Sequence, residues 1–222
     1  MRRLLFALIL WSGTVSAFAE EGWIDVLQGK TLADFSDFWL DDGGKKEATF
    51  RLENGVMSLT GTPRGWLAIP GEYRNVSMKL ECRFPDPNRF TNSGMLFRIT
   101  GRGPTFLPPC VELQLQKERM GDLFSFHGFK MACPKERFTY HVKHVTAGDC
   151  CQVDHTRNCQ LPDKPENWNQ VEITLFEDWM IVRVNGQVVN WAYGIDNVPG
   201  KIAFQSEGGP MDFRNVLLKV EK

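Results

Sequence analysis

The chain has 222 residues, 42% apolar and 24% charged, with 26 Lys and Arg against 27 Asp and Glu. That length suits one domain of the sandwich or barrel kind with a sizeable core. A formal net charge of −1 gives no global field to draw in nucleic acid or an anionic membrane surface.

The chain begins MRRLLFALILWSGTVSAFAEE. Arg2 and Arg3 form a charged head, and LLFALILWSGTV is a short apolar stretch. Ala17 and Ala19 place small residues where signal peptidase inspects. The apolar run falls short of the ~20 residues a span needs. We therefore expect a signal peptide over 1–19 and a single domain over 20–222, exported to the periplasm or the extracellular space, with no membrane span in the mature chain. Cys82, Cys110, Cys133, Cys150, Cys151 and Cys159 make an even count, which in an exported chain favours disulfides.

Short alternating runs follow, separated by Gly, Pro, Asn and Asp. ATFRLENGVMSLTG (48–61) reads as a hairpin turning at Asn54-Gly55. VSMKLECRF (76–84) alternates Met78, Leu80, Cys82 and Phe84 with Lys79, Glu81 and Arg83. The segment from about 120 to 167 breaks this rhythm and holds all four histidines and four of the cysteines. It reads as a long insertion or loop. VEITLFEDWMIVRVNGQVVNWA (171–192), GKIAFQSEG (200–208) and MDFRNVLLKVEK (211–222) resume the strand pattern. No stretch of useful length keeps a helical period. The fold class is all-β, a two-sheet sandwich.

Side chains alternate between the faces of a strand. In 111–116, Val111, Leu113 and Leu115 oppose Glu112, Gln114 and Gln116. In 94–100, Met95, Phe97 and Ile99 oppose Leu96, Arg98 and Thr100. Near the end, Ile202 and Phe204 oppose Gln205 and Glu207, and Phe213 opposes Asp212 and Arg214. If these strands share a sheet, one face carries Glu81, Arg83, Arg98, Glu112, Gln114, Gln205, Glu207 and Arg214. A solvent face is one account of it. The planar, multi-donor groups of Arg and Gln also suit sugar hydroxyls, and Trp66 in RGWLAIP fits either a sugar platform or the core.

Five stretches in order, GWIDVLQGKTLADF (22–35), NSGMLFR (92–98), VELQLQ (111–116), WNQVEITLFEDWMIVRVNGQVV (168–189) and GKIAFQSEGGPMDFRNV (200–216), resemble the 3-keto-disaccharide hydrolase domain. The resemblance spans the mature chain except 120–167. It implies a concanavalin A-like jelly roll with a sugar-facing sheet, a bacterial source and export. It also implies cleavage of 3-keto-glycosides, by hydrolysis or by 1,2-elimination and hydration. The positions carried over are Asn92, Ser93, Gly94, Arg98, Glu112, Gln114, Gln205, Glu207, Phe213 and Arg214. The cysteine-rich segment and FSFHGF (124–129) depart from the family pattern.

A ketone at C3 of a sugar acidifies the hydrogen on C2, so the reaction needs a base, an acid for the leaving oxygen and a donor for the enolate. On this reading Glu112 is acid or base, with Arg98 or Arg214 on the oxyanion and His127 the partner that titrates near neutral pH. Glu207 is the alternative second carboxylate. Asn92, Gln114, Gln205, Glu207, Arg214 and Trp66 would bind substrate. The ExDxE run associated with laminarinase-type jelly rolls is missing. The bland alternatives are a cross-strand ion pair for Glu112 and Arg98, and a satisfied loop histidine for His127. A lectin-like binding module is the rival function, and a structural surface protein a third. His141, His144, Cys150, Cys151, His155 and Cys159 match no trusted zinc spacing. No cofactor is expected, and a divalent metal stays open. The partner is an oligosaccharide or glycoside, with no nucleic acid. The oligomeric state is not set by sequence.

Overall fold

The computed structural model describes residues 21–86, 88–144, 148–153 and 167–222, without the side chains of 138–144 and 148–153. The expected signal peptide, His155 and Cys159 lie outside the described residues, as do the side chains of His141, His144, Cys150 and Cys151. Among the described residues no helix is long and apolar enough to cross a membrane.

The described chain is all β apart from three short 3-10 turns. In order, the strands are β1 (Ile24–Asp25), β2 (Phe38–Leu40), β3 (Phe50–Glu53), β4 (Val56–Leu59), β5 (Gly65–Tyr73), β6 (Val76–Arg83), β7 (Asn92–Ile99) and β8 (Cys110–Gln114). They continue with β9 (Leu123–Phe126), β10 (Phe138–His144), β11 (Gly148–Val153), β12 (Asn169–Phe176), β13 (Trp179–Val184), β14 (Gln187–Ala192), β15 (Gly200–Gly208) and β16 (Met211–Val220). One sheet runs β14-β13-β12-β6-β16-β4-β3, with β1 beside β16; the other runs β10-β11-β9-β8-β7-β15-β5-β2. Neighbours are antiparallel throughout.

The hairpin expected at Asn54-Gly55 joins β3 to β4, both turn residues with positive φ (50° and 73°). Asn185-Gly186 repeats this between β13 and β14 (48° and 82°). Such left-handed pairs match the strand twist, and Asn and Gly adopt them at least cost. The 120–167 segment is not the plain loop its broken rhythm suggested. β9 pairs with β8, and the β10-β11 hairpin carries the sheet outward beyond β9.

Between the sheets lies the main core, with Val111, Leu113, Leu115, Phe97, Phe204, Phe213, Leu80 and Ile173 among its members. Each buried side chain of this size contributes about 1.5–3 kcal/mol. Cys82 belongs to this core, fully buried, and burial pushes its thiol up to about 12. That corrects the expectation of a disulfide there. No disulfide joins the described cysteines Cys82, Cys110 and Cys133. A second, smaller apolar cluster lies on the outer face of the β8-containing sheet. Trp66, Leu96, Ile99, Cys110, Phe126 and Ala203 are joined there by Phe106 and Leu107 from the 100–109 loop. That loop covers part of the face the sequence suggested would meet a sugar.

Candidate active site

Two rows of paired residues cross the outer face of this sheet. In one, Gln114 faces Gly94, Gly94 faces Gln205, and Gln205 faces Trp66. In the next, Phe124 faces Glu112, Glu112 faces Leu96, and Leu96 faces Ala203. Directly paired residues share a face, so Glu112, Gln114 and Gln205 stand together as the alternation required. Glu207 follows two residues after Gln205, at a register shift between Ser206 and Gly208. The Gln205 amide Nε2 donates to Glu207 Oε2 at 3.1 Å. Asn92 opens β7 on the same face, opposite Gly208.

These groups are withdrawn from water. Glu112 is 1% exposed and Gln205 fully buried. Glu112 Oε1, Gln205 Oε1 and Asn92 Oδ1 are buried acceptors with no hydrogen-bond partner. Buried polar atoms are normally satisfied, so three open acceptors beside one another mark a place for donors such as hydroxyls. Gly94 makes room for them. A Cβ at this position would lie 2.7 Å from Gln205 Oε1, 2.8 Å from Leu113 O and 3.1 Å from Glu112 Oε1.

Burial drives the Glu112 carboxyl well above the usual range, and the neighbouring Glu207 charge adds to this. A hydrogen bond from Gln205 and the Arg119 charge pull it back, while Asp122 pushes it up. Burial likewise raises Glu207 to about 7, against the pull of Arg64 and the Gln205 amide. Arg119 Nη2 is 2.7 Å from Asp122 Oδ2, and Arg64 Nε is 3.0 Å from Asp41 Oδ2. Two adjacent carboxyls thus titrate far from their ordinary range, the pattern of paired acid–base groups.

Several expected members lie elsewhere. Arg98 does not face Glu112. It sits at a bulge with φ 54°, where the register against β15 shifts between Lys201 and Ala203. The bulge breaks the alternation, so Ile99 rather than Arg98 follows Leu96 on the outer face. The Arg98 guanidinium donates to the carbonyls of Arg74, Glu177 and Asp196 at 2.6–3.1 Å. Burial and Arg74 lower its pKa to about 10. Arg214, Glu81 and Arg83 lie in the other sheet, and stacked sheets stand ~10 Å apart. There Arg214 Nε donates to Glu81 Oε2 at 2.6 Å and Arg83 Nε to Asp212 Oδ2 at 2.9 Å. The Arg83 and Arg214 guanidinia stack on Trp168, at 4.7 and 4.1 Å respectively. His127 follows β9 in a left-handed turn beside Phe126, and the charges acting on Glu112 are those of Glu207, Arg119 and Asp122. Trp66 is on the expected face but 2% exposed, with Arg102 stacked 4.7 Å above its ring.

The sequence matches the 3-keto-alpha-glucoside-1,2-lyase-like domain over residues 22–219. The chain belongs to this family. No curated protein matches it in sequence. Among solved structures, the fold resembles a protein of Parabacteroides distasonis assigned to the glycosyl hydrolases, with 17% identity and a TM-score of 0.62 over 91% of this chain and 95% of that one. A carbohydrate-binding module of Bacillus subtilis aligns at 9% identity and TM-score 0.57 over 84% and 97%. A β-glucanase of Bacillus licheniformis aligns at 12% identity and TM-score 0.51 over 91% and 94%. At such identities the likeness is one of fold, the concanavalin A-like jelly roll. This member of the lyase-like family also uses residues that strand alternation did not single out. Arg64 acts on Glu207, Arg119 and Asp122 act on Glu112, and Phe106 and Leu107 cover the face. Arg64 stands two residues before Trp66 in TPRGW and Arg119 three before Asp122, and neither spacing carries a chemical signature by itself.

Proposed function

We propose that this protein cleaves 3-keto-glycosides by eliminating the C1 substituent and then hydrating the product, with net hydrolysis. The observation that carries the reading is the buried Glu112–Glu207 pair beside Gln205, with Glu207 raised to about 7 and Glu112 held well above the ordinary carboxylate range by burial. Near neutral pH one carboxyl can hold a proton while the other takes one.

In this scheme Glu207 removes the proton from C2 and the electrons pass to the C3 oxygen as an enolate. Arg64 is the guanidinium placed to favour that charge. The enolate collapses, C3=O reforms, C1=C2 forms and the C1–O bond breaks. Glu112 protonates the departing oxygen. Water then adds at C1, ionised Glu112 takes its proton, and Glu207 returns a proton to C2. Both carboxyls end as they began. Asn92, Gln114 and Gln205 orient hydroxyls. Residues 1–19 are proposed to direct export, which would place the reaction outside the cytoplasm.

The test is alcohol release from a 3-keto-glucoside, with the ultraviolet absorbance of the enone followed in parallel. Glu112→Gln and Glu207→Gln should each lose at least ~100-fold in rate. No release by the unmutated protein overturns the proposal, and saccharide binding without turnover makes it a lectin-like module.

A further inference from the structure

Phe90 is 63% exposed. A single apolar side chain on a surface is ordinary; this one is set apart by its place. Two residues on, Asn92 opens β7 opposite Gly208, and its Oδ1 is one of the buried acceptors without a partner. The edge of the Phe90 ring, at Cε1, lies 3.8 Å from the position a Cβ would take on Gly208, the residue after Glu207. The backbone under the ring is fixed. Thr91 is fully buried, its carbonyl accepts from the Lys117 N–H at 3.2 Å, and its hydroxyl donates to the Pro210 carbonyl at 3.4 Å. Gly209 admits this close approach, since a Cβ there would lie 2.2 Å from the Phe90 carbonyl oxygen. A phenyl ring is thus held in water beside the candidate base, whereas Trp66, the platform expected from sequence, is shut under Arg102.

We infer that Phe90 is the platform for the 3-keto sugar ring and that it selects the gluco over the galacto configuration. The inference rests on the proposed reaction, in which Glu207 takes the hydrogen from C2. In a gluco-configured pyranose chair the hydrogens on C2 and C4 are both axial and point from the same face. A base that meets C2–H therefore has C4–H beside it, and the ring of Phe90 stands over the residue next to that base. The face of a phenyl ring is electron-rich. The C3 carbonyl draws electron density from the C–H bonds on C2 and C4, so C4–H is attracted to the ring. In the galacto epimer the hydroxyl takes that axial position, where a phenyl ring crowds it and strips its water without a hydrogen bond in return.

The test uses the 3-keto-glucoside and the 3-keto-galactoside of one alcohol, so that the leaving group is constant. The unmutated protein should favour the gluco substrate in kcat/KM. Phe90→Ala should raise KM for that substrate by about 5- to 10-fold, with kcat changed less, and narrow the gluco-to-galacto preference by a similar factor. Phe90→Tyr should restore both. The ring is exposed, so its loss should leave the melting temperature in place. An unchanged KM or an unchanged preference in Phe90→Ala overturns the inference, as does a galacto preference in the unmutated protein. If neither sugar is turned over, the proposed reaction falls, and equilibrium binding of the same two sugars decides the platform. A gluco preference that Phe90→Ala removes then keeps it, and a binding preference that is absent or unaffected by Phe90→Ala overturns it.

Discussion

The Arg98 guanidinium lies 2.6 Å from the carbonyl oxygen of Glu177, its Nη2 donating to the turn between β12 and β13. The same guanidinium reaches Arg74 and Asp196, so one side chain ties three chain segments at one end of the sandwich. Arg98→Met leaves these carbonyls unmet and should cost about 3 kcal/mol of stability. Urea denaturation checks this. Per folded molecule, kcat and KM should stay unchanged; a change in kcat at full folding would return Arg98 to the reacting groups.

The acidic pair makes stability depend on pH. Folding holds Glu207 at about 7 against an ordinary 4.5, so the folded state binds its proton more tightly than the unfolded chain. Stability is therefore greatest below the ordinary value and declines as pH rises from 4.5 through about 7. Glu112, raised by burial in the same sense, adds to the decline. Glu207→Gln should flatten it and raise the melting temperature at pH 8 by several degrees, while activity falls. Melting curves at pH 5 and pH 8 decide this, and a variant equally or less stable at pH 8 would refute it.

Gly94→Ala puts a methyl group 2.8 Å from Leu113 O and 2.7 Å from Gln205 Oε1. The strand carbonyl resists, so the amide gives way. We expect about 1–3 kcal/mol of destabilisation and a fall in kcat/KM of about 10-fold or more. Activity assayed well below the melting transition separates the two effects.

Cys82 should be inert in the native protein. Its thiol is fully buried and held at about 12, and the thiolate is the reactive form. Alkylation followed by peptide mass spectrometry should label Cys82 only after denaturation. Labelling in the native state would show that the core between the sheets opens.

Alternation carried much of the fold. Val111, Leu113 and Leu115 turn to the core while Glu112 and Gln114 turn outward, because a period of two is written residue by residue. The same logic put Gln205 and Glu207 opposite Phe204. It could not say which sheet a strand joins, since each outer face of a sandwich is polar by the same rule. Hence alternation alone groups Arg214 and Glu81 with Glu112, although they lie in the other sheet. It failed inside β7 as well, where the bulge at Arg98 resets the alternation. One trace of that bulge was in the sequence. A Cβ at Gly200 would stand 2.5 Å from the Arg98 carbonyl carbon, so the glycine in PGK is what lets β15 pass the bulge. Alternation also does not tell a covered outer face from an open one, and Phe106 and Leu107 reach this face from a loop without periodicity.

β16, the last strand in chain order, is not an edge strand. It lies between β6 and β4 and also holds β1. The strand immediately before it, β15, supplies Gln205 and Glu207, whereas Glu112 comes from β8. During synthesis the site therefore cannot assemble gradually. Until residues 200–220 have emerged, each sheet lacks an interior strand and Glu112 stands without its partner carboxylate. Glu112 waits on β8 until β15 has emerged, and the acidic pair and the closed core then arrive almost together.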